Sequence, residues 1–429
     1  MRKAFGLIIV LLIFGGVKYL FPELGQQIYS QTPLLTGVVL LASYLFALLL
    51  KKAKLPKLTG YMVLGVLLGP IGLDFLNVDA LSRLKFLENL ALSFIALTAG
   101  GELKYARIKK DLKAIFMLLG GQLIIVFVGL FLILILFANY IPFVSTLSFS
   151  MLMGFSILFA GISLSKSPAT TMGIITEFHA KGRNTDLVLS ITVLKSIILV
   201  AIFPLILTWS KFYLLEGIRF NGALLADLLV QLGGSILMGV AIGYMIIGYL
   251  KFINAEKSLF LLGVTIVITE MTSMLNIEIL LTSIVAGVVV ENFSDKGEQL
   301  ILSIEESSLP LYIIFFSFAG AGLHLDTLQK ALGLTIFLVL ARMILLYVGN
   351  FAGALIAKEP KEVKHFLWLG FIGQAGIAVG LGTVIERAFP GEIGATIKTI
   401  LIATVVINEL LGPIFFKYVL IKTGEAKTQ

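Results

Sequence analysis

The stretch Gly161-Ile-Ser-Leu-Ser-Lys-Ser-Pro-Ala-Thr-Thr171 breaks an apolar run that starts near residue 147. Serines, threonines, a lysine and a proline stand where a membrane helix would carry leucine or isoleucine. Pro168 has no amide hydrogen to donate and turns the residue before it away from helix. A second such stretch is Gly370-Phe-Ile-Gly-Gln-Ala-Gly-Ile-Ala-Val-Gly-Leu-Gly382, whose glycines loosen a helix. Gly376 follows Pro168 by 208 positions, close to half of the 429-residue chain. Irregular backbone survives at membrane depth only where protein or a cavity satisfies its freed groups. Two breaks at matching places predict inverted repeats, with unwound segments that cross near the membrane midplane and a binding site at the crossing.

The remaining sequence reads as membrane spans. Hydrophobic residues make up 58% of the chain and charged ones 14%, about half the share of a soluble domain. So little polar surface excludes a cytosolic enzyme, a nucleic-acid-binding module and a disordered scaffold. At about 20 residues per crossing, the apolar runs 4–21, 34–50, 58–73, 86–101, 114–138, 147–165, 187–208, 224–250, 258–275, 279–291, 309–323, 331–356, 366–386 and 393–416 predict about fourteen helices. The runs lack the alternation of a β-barrel. Each break lies in the middle of a three-helix group, the fifth to seventh and the twelfth to fourteenth spans. The odd spacing between the groups inverts one against the other. The expected fold is an all-α polytopic membrane protein with inverted repeats and two crossed broken helices.

Residues 1–30 read as an extra N-terminal transmembrane helix. Arg2 and Lys3 before an apolar run resemble a signal peptide, but no small-residue cleavage site follows Phe21. Of the 33 Lys and Arg, three (Lys166, Lys195 and Arg342) are set aside as lying at bilayer depth, while Lys18 and Lys398 are counted with the span ends they lie near. The other thirty divide 22 to 8 when the N-terminus is placed inside. The positive-inside rule then puts both termini in the cytoplasm of a multi-pass protein in the cell's inner (plasma) membrane. The net charge of +8 thus reports topology rather than an acidic partner. There is no cysteine, and His179, His324 and His365 lie far apart, so no metal site or cofactor is expected. No nucleophile–base pair or phosphate loop lies outside the spans, and the chain does not read as an enzyme.

Five further stretches carry a resemblance: Leu55-Pro-Lys-Leu-Thr-Gly-Tyr-Met-Val-Leu-Gly-Val-Leu-Leu-Gly-Pro70, Ser167-Pro-Ala-Thr170, Ala286-Gly-Val-Val-Val-Glu-Asn292, Gly373-Gln-Ala-Gly-Ile-Ala-Val-Gly-Leu381 and Asn408-Glu-Leu-Leu-Gly-Pro413. In this order the chain resembles the monovalent cation:proton antiporter superfamily, in its Kef-type and sodium/proton-exchanger-like branch, from about Leu35 to Leu420. The resemblance implies an antiporter-like domain over 31–429. Core helices at about 86–208 and 331–417 would move, elevator-like, against dimerisation helices at about 34–73 and 224–323, in a homodimer embedded in the lipid bilayer. It also implies one or two ion-site aspartates in the helix after the first break. Counted from Gly182, that position holds Lys195 and Ser196, and the family's carboxylate is absent.

A charge at bilayer depth costs at least about 2.5–3.5 kcal/mol, so every intramembrane ionisable residue is a functional candidate. Lys195 is the candidate proton carrier, with Ser196 as a neutral ligand. Lys166 lies in the first break and Arg342 in the twelfth span. Each also has a purely structural reading, Lys166 as a snorkelling lysine and Arg342 as a counter-charge to half-helix C-termini. Glu409 is the expected ion partner of Lys195 or Arg342. Ser167, Thr170, Gln374 and Asn408 can offer oxygens or amides without adding charge. The expected activity is exchange of a monovalent cation, sodium or potassium, for protons. The alternatives are an anion or other solute carried on the same scaffold, since three cations and two half-helix N-termini suit an anion, and a transport-silent sensor, partner subunit or variant altered at position 196. No nucleic-acid partner is expected.

Overall fold

A computed structural model describes residues 32–50, 55–70, 72–101, 103–140, 144–214, 222–253, 255–322, 332–374, 378, 381–382, 385, 389 and 392–426. The expected N-terminal span at 4–21, His324 and Gly376 lie outside them. The described residues are helical, without strands: α1 Thr32–Leu50, α2 Lys57–Leu68, α3 Lys85–Gly101, α4 Leu112–Leu136, α5 Phe149–Ile162, α6 Pro168–Phe178, α7 Arg183–Leu214, α8 Gly222–Phe252, α9 Lys257–Met274, α10 Ile279–Phe293, α11 Gly297–Ala321, α12 Leu332–Ala357, α13 Lys361–Phe366 and α14 Glu392–Lys422. Among the described residues, six helical stretches are long and apolar enough to cross a membrane alone: Pro33–Leu50, Lys109–Leu136, Leu229–Phe252, Lys257–Met274, Leu332–Ala357 and Thr396–Lys422. Pro310 and Pro413 sit inside helices without ending them.

The helices form two compact units. The first gathers the described residues of Met1–Glu102, Met172–Glu177 and Ser235–His324. Its core packs Leu35, Val39, Leu64 and Leu68 against Ile314 and Phe318. In it, Ser93 of α3 and Ser283 of α10 share a buried hydrogen bond of 3.0 Å. The second gathers the described residues of Leu103–Thr171, Phe178–Gly234 and Leu325–Gln429. It holds both breaks.

Within the second unit, α4 and α12 approach backbone to backbone. Gly349-Asn-Phe-Ala-Gly353 is a small-xxx-small pattern of the kind that lets membrane helices touch. A Cβ on Gly349 would lie 2.7 Å from the carbonyl oxygen of Gly121, and one on Gly353 would strike that of Met117. The outer faces of the two helices are apolar and exposed. Ile124, Val128, Leu132 and Leu136 line α4, and Ile336, Leu340, Ile344 and Val348 line α12 at four-residue intervals. A stripe of that extent is intolerable in water and normal against lipid.

The lower end of α7 is tied down by charge. Gly182 has φ +155°, and a side chain there would strike Glu425. The Glu425 carboxylate accepts from the amides of Asn184 (2.8 Å) and Thr185 (2.7 Å) and from both side chains. It caps α7 from 240 residues away, satisfying amide hydrogens that a helix start leaves free. Arg183 donates to both oxygens of Glu359 at 2.6 and 2.9 Å and to Asp111 at 2.7 Å. Those bonds, Glu359's first, hold the guanidinium well above the ordinary arginine range.

Candidate transport site at two helix breaks

The first break is written in the local sequence. Helix α5 stops at Ile162, residues 163–167 leave the helix, and α6 restarts at Pro168. Pro168 is therefore the first residue of the second half-helix rather than part of the unwound piece. Its fixed φ suits that position, where no amide donor is needed. Ser167 is the cap, its Oγ accepting from the amide of Thr170 at 3.1 Å. The second break follows a 3-10 turn, Leu367–Phe371, after which Ile372, Gly373 and Gln374 are irregular.

The two breaks lie against each other. The Ser167 amide donates to the Gly373 carbonyl at 3.2 Å. Gln374 Nε2 donates to Ser165 Oγ at 2.7 Å. Helix α14 closes on the pair, since a Cβ on Gly412 would lie 2.5 Å from Gly373 Cα.

Arg342 of α12 joins the interrupted strands of backbone. It is fully buried. Its Nε donates to Ser163 O at 2.8 Å. One terminal nitrogen donates to Ile372 O at 2.8 Å, and the other to Ser165 O at 2.9 Å and Phe371 O at 3.3 Å. Four carbonyls that lost their helical donors thus receive N–H groups from one rigid fork.

Lys195 lies mid-helix in α7 at 0% exposure. Its ammonium donates to Gln122 Oε1 at 3.1 Å and stands 6.0 Å from the ring centre of Phe371. Gln122 in turn reaches Asn350 Oδ1 at 3.5 Å, and Asn350 donates to Val363 O at 2.8 Å. The glycine contact between α4 and α12 brings these amides together. Ser196 Oγ donates to Thr192 O at 2.9 Å and faces the carbonyl of Lys166 at 3.4 Å.

Glu409 of α14 faces the other side of the break. Thr170 Oγ1 donates to its Oε1. Asn408 donates to Gln374 Oε1 at 2.8 Å. Glu409 Oε2 and Lys166 Nζ each lie 3.5 Å from the point where a Cβ on Gly373 would stand. The expected pairing of Glu409 with Lys195 or Arg342 therefore needs correcting. The guanidinium is committed to carbonyls and Lys195 to Gln122, which leaves Lys166 as the cation facing the carboxylate.

All nine residues singled out in the sequence are buried in this unit: Lys166, Ser167, Thr170, Lys195, Ser196, Arg342, Gln374, Asn408 and Glu409. Gln122 and Asn350 were not among them. Each is a lone amide in a long apolar helix, which was the signal available. Among the described residues, no group of His, Asp and Glu could hold a metal ion.

Known proteins resemble the chain over most of its length. A family model described as sodium/hydrogen exchanger, transmembrane, matches residues 5–422. The probable Na(+)/H(+) antiporter 3 of Methanocaldococcus jannaschii is 24% identical over 404 residues, which cover 91% of this chain and 97% of that protein. The structure of the sodium proton antiporter MjNhaP1 from Methanocaldococcus jannaschii at pH 8 matches with TM-score 0.66 at 17% identity, over 90% of this chain and 97% of that one. An electron-microscopy structure of the same antiporter gives 0.70 at 18% identity, over 92% and 98%. At these identities the likeness speaks to the fold alone.

Proposed function

The chain belongs to the sodium/hydrogen exchanger family, and within it we propose that this protein exchanges a monovalent cation, sodium or potassium, for protons. The observation that carries this is the meeting of two helix interruptions around three buried cations and one buried carboxylate. Charges this deep are expensive and persist where they move ions. A cation entering such a cluster adds to its charge, and releasing a proton restores it. Arginine keeps its proton in proteins, whereas lysine can surrender one. Lys195 is accordingly the proton carrier and Ser196 its neutral neighbour, in place of the family's aspartate.

The scaffold supports alternating access of the elevator type. Crossed half-helices on a core of about 86–208 and 331–417, less α3, whose Ser93 binds Ser283 of α10 in the first unit, move against helices of about 34–73 and 224–323. The protein works as a homodimer of about fourteen spans per chain in the inner (plasma) membrane, with both termini in the cytoplasm. That orientation follows from the excess of Lys and Arg on one side.

One observation speaks for a cation rather than an anion. Four of the five N–H groups of Arg342 already serve carbonyls, so the strongest anion-binding group is not on offer. The test is proton movement in proteoliposomes on addition of sodium, potassium or a panel of anions. Sodium or potassium should move protons, and Lys195→Ala should abolish this while eluting as a folded protein. Proton movement driven by an anion with cations inert would overturn the reading. Unchanged flux in Lys195→Ala would remove Lys195 from it, and silence toward every ion would favour a sensor.

A further inference from the structure

We propose that Glu409 supplies the carboxylate of a monovalent-cation site, completed by Ser167 Oγ, Thr170 Oγ1 and Asn408 Oδ1, and that the Lys166 ammonium competes with the cation for it. This rests on the cation/proton reading above and moves the ion's ligand from position 196 to α14.

Two oxygens point to the site. Glu409 Oε2 and Asn408 Oδ1 are buried and have no hydrogen-bond partner among the described residues. The two residues are 2% and 0% exposed. A carboxylate oxygen and an amide oxygen left bare in the interior are costly, and native structures rarely keep them without a reason. Both are pure acceptors, so what satisfies them must carry positive charge or donate hydrogen.

The surrounding atoms are hard oxygens. Thr170 Oγ1 meets Glu409 Oε1, and its hydroxyl also lies 2.9 Å from Ser167 Oγ. One carboxylate with hydroxyl and amide oxygens suits an alkali cation, whereas a divalent ion is normally held by more carboxylate charge.

Gly373 leaves the space. A Cβ built there would sit 3.4 Å from Thr170 Cγ2, 3.5 Å from Glu409 Oε2 and 3.5 Å from Lys166 Nζ. The carboxylate and the ammonium thus border one point that carries no side chain. With Lys166 protonated, its ammonium neutralises Glu409 from across that point. A cation entering the same point takes over the carboxylate and is repelled by the ammonium, so the two occupants exclude each other.

Glycine 373 also provides a clean steric probe, because an alanine methyl there makes only ordinary van der Waals contacts. The full-length protein in detergent is melted in sodium, lithium or potassium chloride against choline chloride at equal ionic strength. Wild type should show an ion-specific rise in melting temperature. Glu409→Gln keeps the shape and the Thr170 contact and should lose that rise. Gly373→Ala should lose it while melting normally in choline. Lys166→Met should retain it and reach half-saturation at a cation concentration at least several-fold lower. An ion-specific rise in Glu409→Gln equal to wild type overturns the assignment, as does a wild type with no such rise in any alkali chloride. Proteoliposome flux keeps the two proposals apart. If wild type exchanges cations for protons and Glu409→Gln does so equally well, the antiport reading stands and the Glu409 site falls. If wild type binds the cation through Glu409 and moves no protons, the site stands and the antiport reading falls.

Discussion

Replacing Arg342 with leucine removes a charge that four backbone carbonyls share. Hydrogen bonds to a charged group are worth about 1.5–3 kcal/mol each in soluble proteins. Polar contacts inside membrane proteins average nearer 0.6 kcal/mol. Taking the charge out of the bilayer returns about 2.5–3.5 kcal/mol. At the lower value per bond these terms nearly cancel, and leucine would be tolerated. The location of the acceptors decides the matter. Ser163, Ser165, Phe371 and Ile372 belong to interrupted backbone, where the helical ladder that would otherwise donate is missing. Each carbonyl left bare costs about 1–3 kcal/mol, and at the middle of that range four of them outweigh the regained charge by roughly 5 kcal/mol. Arg342→Leu should therefore melt well below wild type and lose flux below its own melting temperature, because the breaks are no longer held together. Arg342→Lys keeps the charge but offers a single nitrogen in place of a planar fork, so it should fall between the two. Scanning fluorimetry in detergent, with flux measured on the same preparations, checks this. A leucine variant that melts and transports like wild type would refute the clamp.

Gly412→Ala places a methyl 2.5 Å from Gly373 Cα and 2.8 Å from its nitrogen, where ordinary contacts begin at 3.4 Å. The helix must back away, at about 1–3 kcal/mol for overpacking, and the melting temperature should fall where Gly373→Ala leaves it unchanged. Glu425→Ala uncaps α7 and should cost about 1 kcal/mol, read as faster amide hydrogen exchange at Asn184 and Thr185 with the mid-helix amides still protected. For Arg183 the folded-state pKa is raised, so its stabilisation is complete below the ordinary arginine value and is lost only as pH rises past it. Arg183→Gln should thus lower stability by about 1 kcal/mol or less, given the pair's partial exposure, without moving the pH profile of flux. A shifted profile would implicate the network in transport.

The half-chain spacing of the two interruptions, the polar residues within them and the buried ions beyond were all legible along the chain. Each is a local departure from apolar composition, and transfer from water to lipid acts on residues one at a time. Pro168 reads along the chain as part of the unwound piece, whereas capping and proline geometry make Ser167 and Pro168 the restart of α6. Pairing was not legible. The chain pairs Glu409 with Lys195 or Arg342, and nothing along it points to Lys166. Their partners depend on helix register. The glycine contacts of α4 with α12 and of α14 with Gly373 set that register, placing Gln122 under Lys195 and Glu409 opposite Lys166. The cap that Glu425 makes on α7 is beyond sequence reading for the same reason. It spans 240 residues and exists only once the last helix has packed, since a carboxylate satisfies whichever amide hydrogens the fold brings within about 3 Å of it.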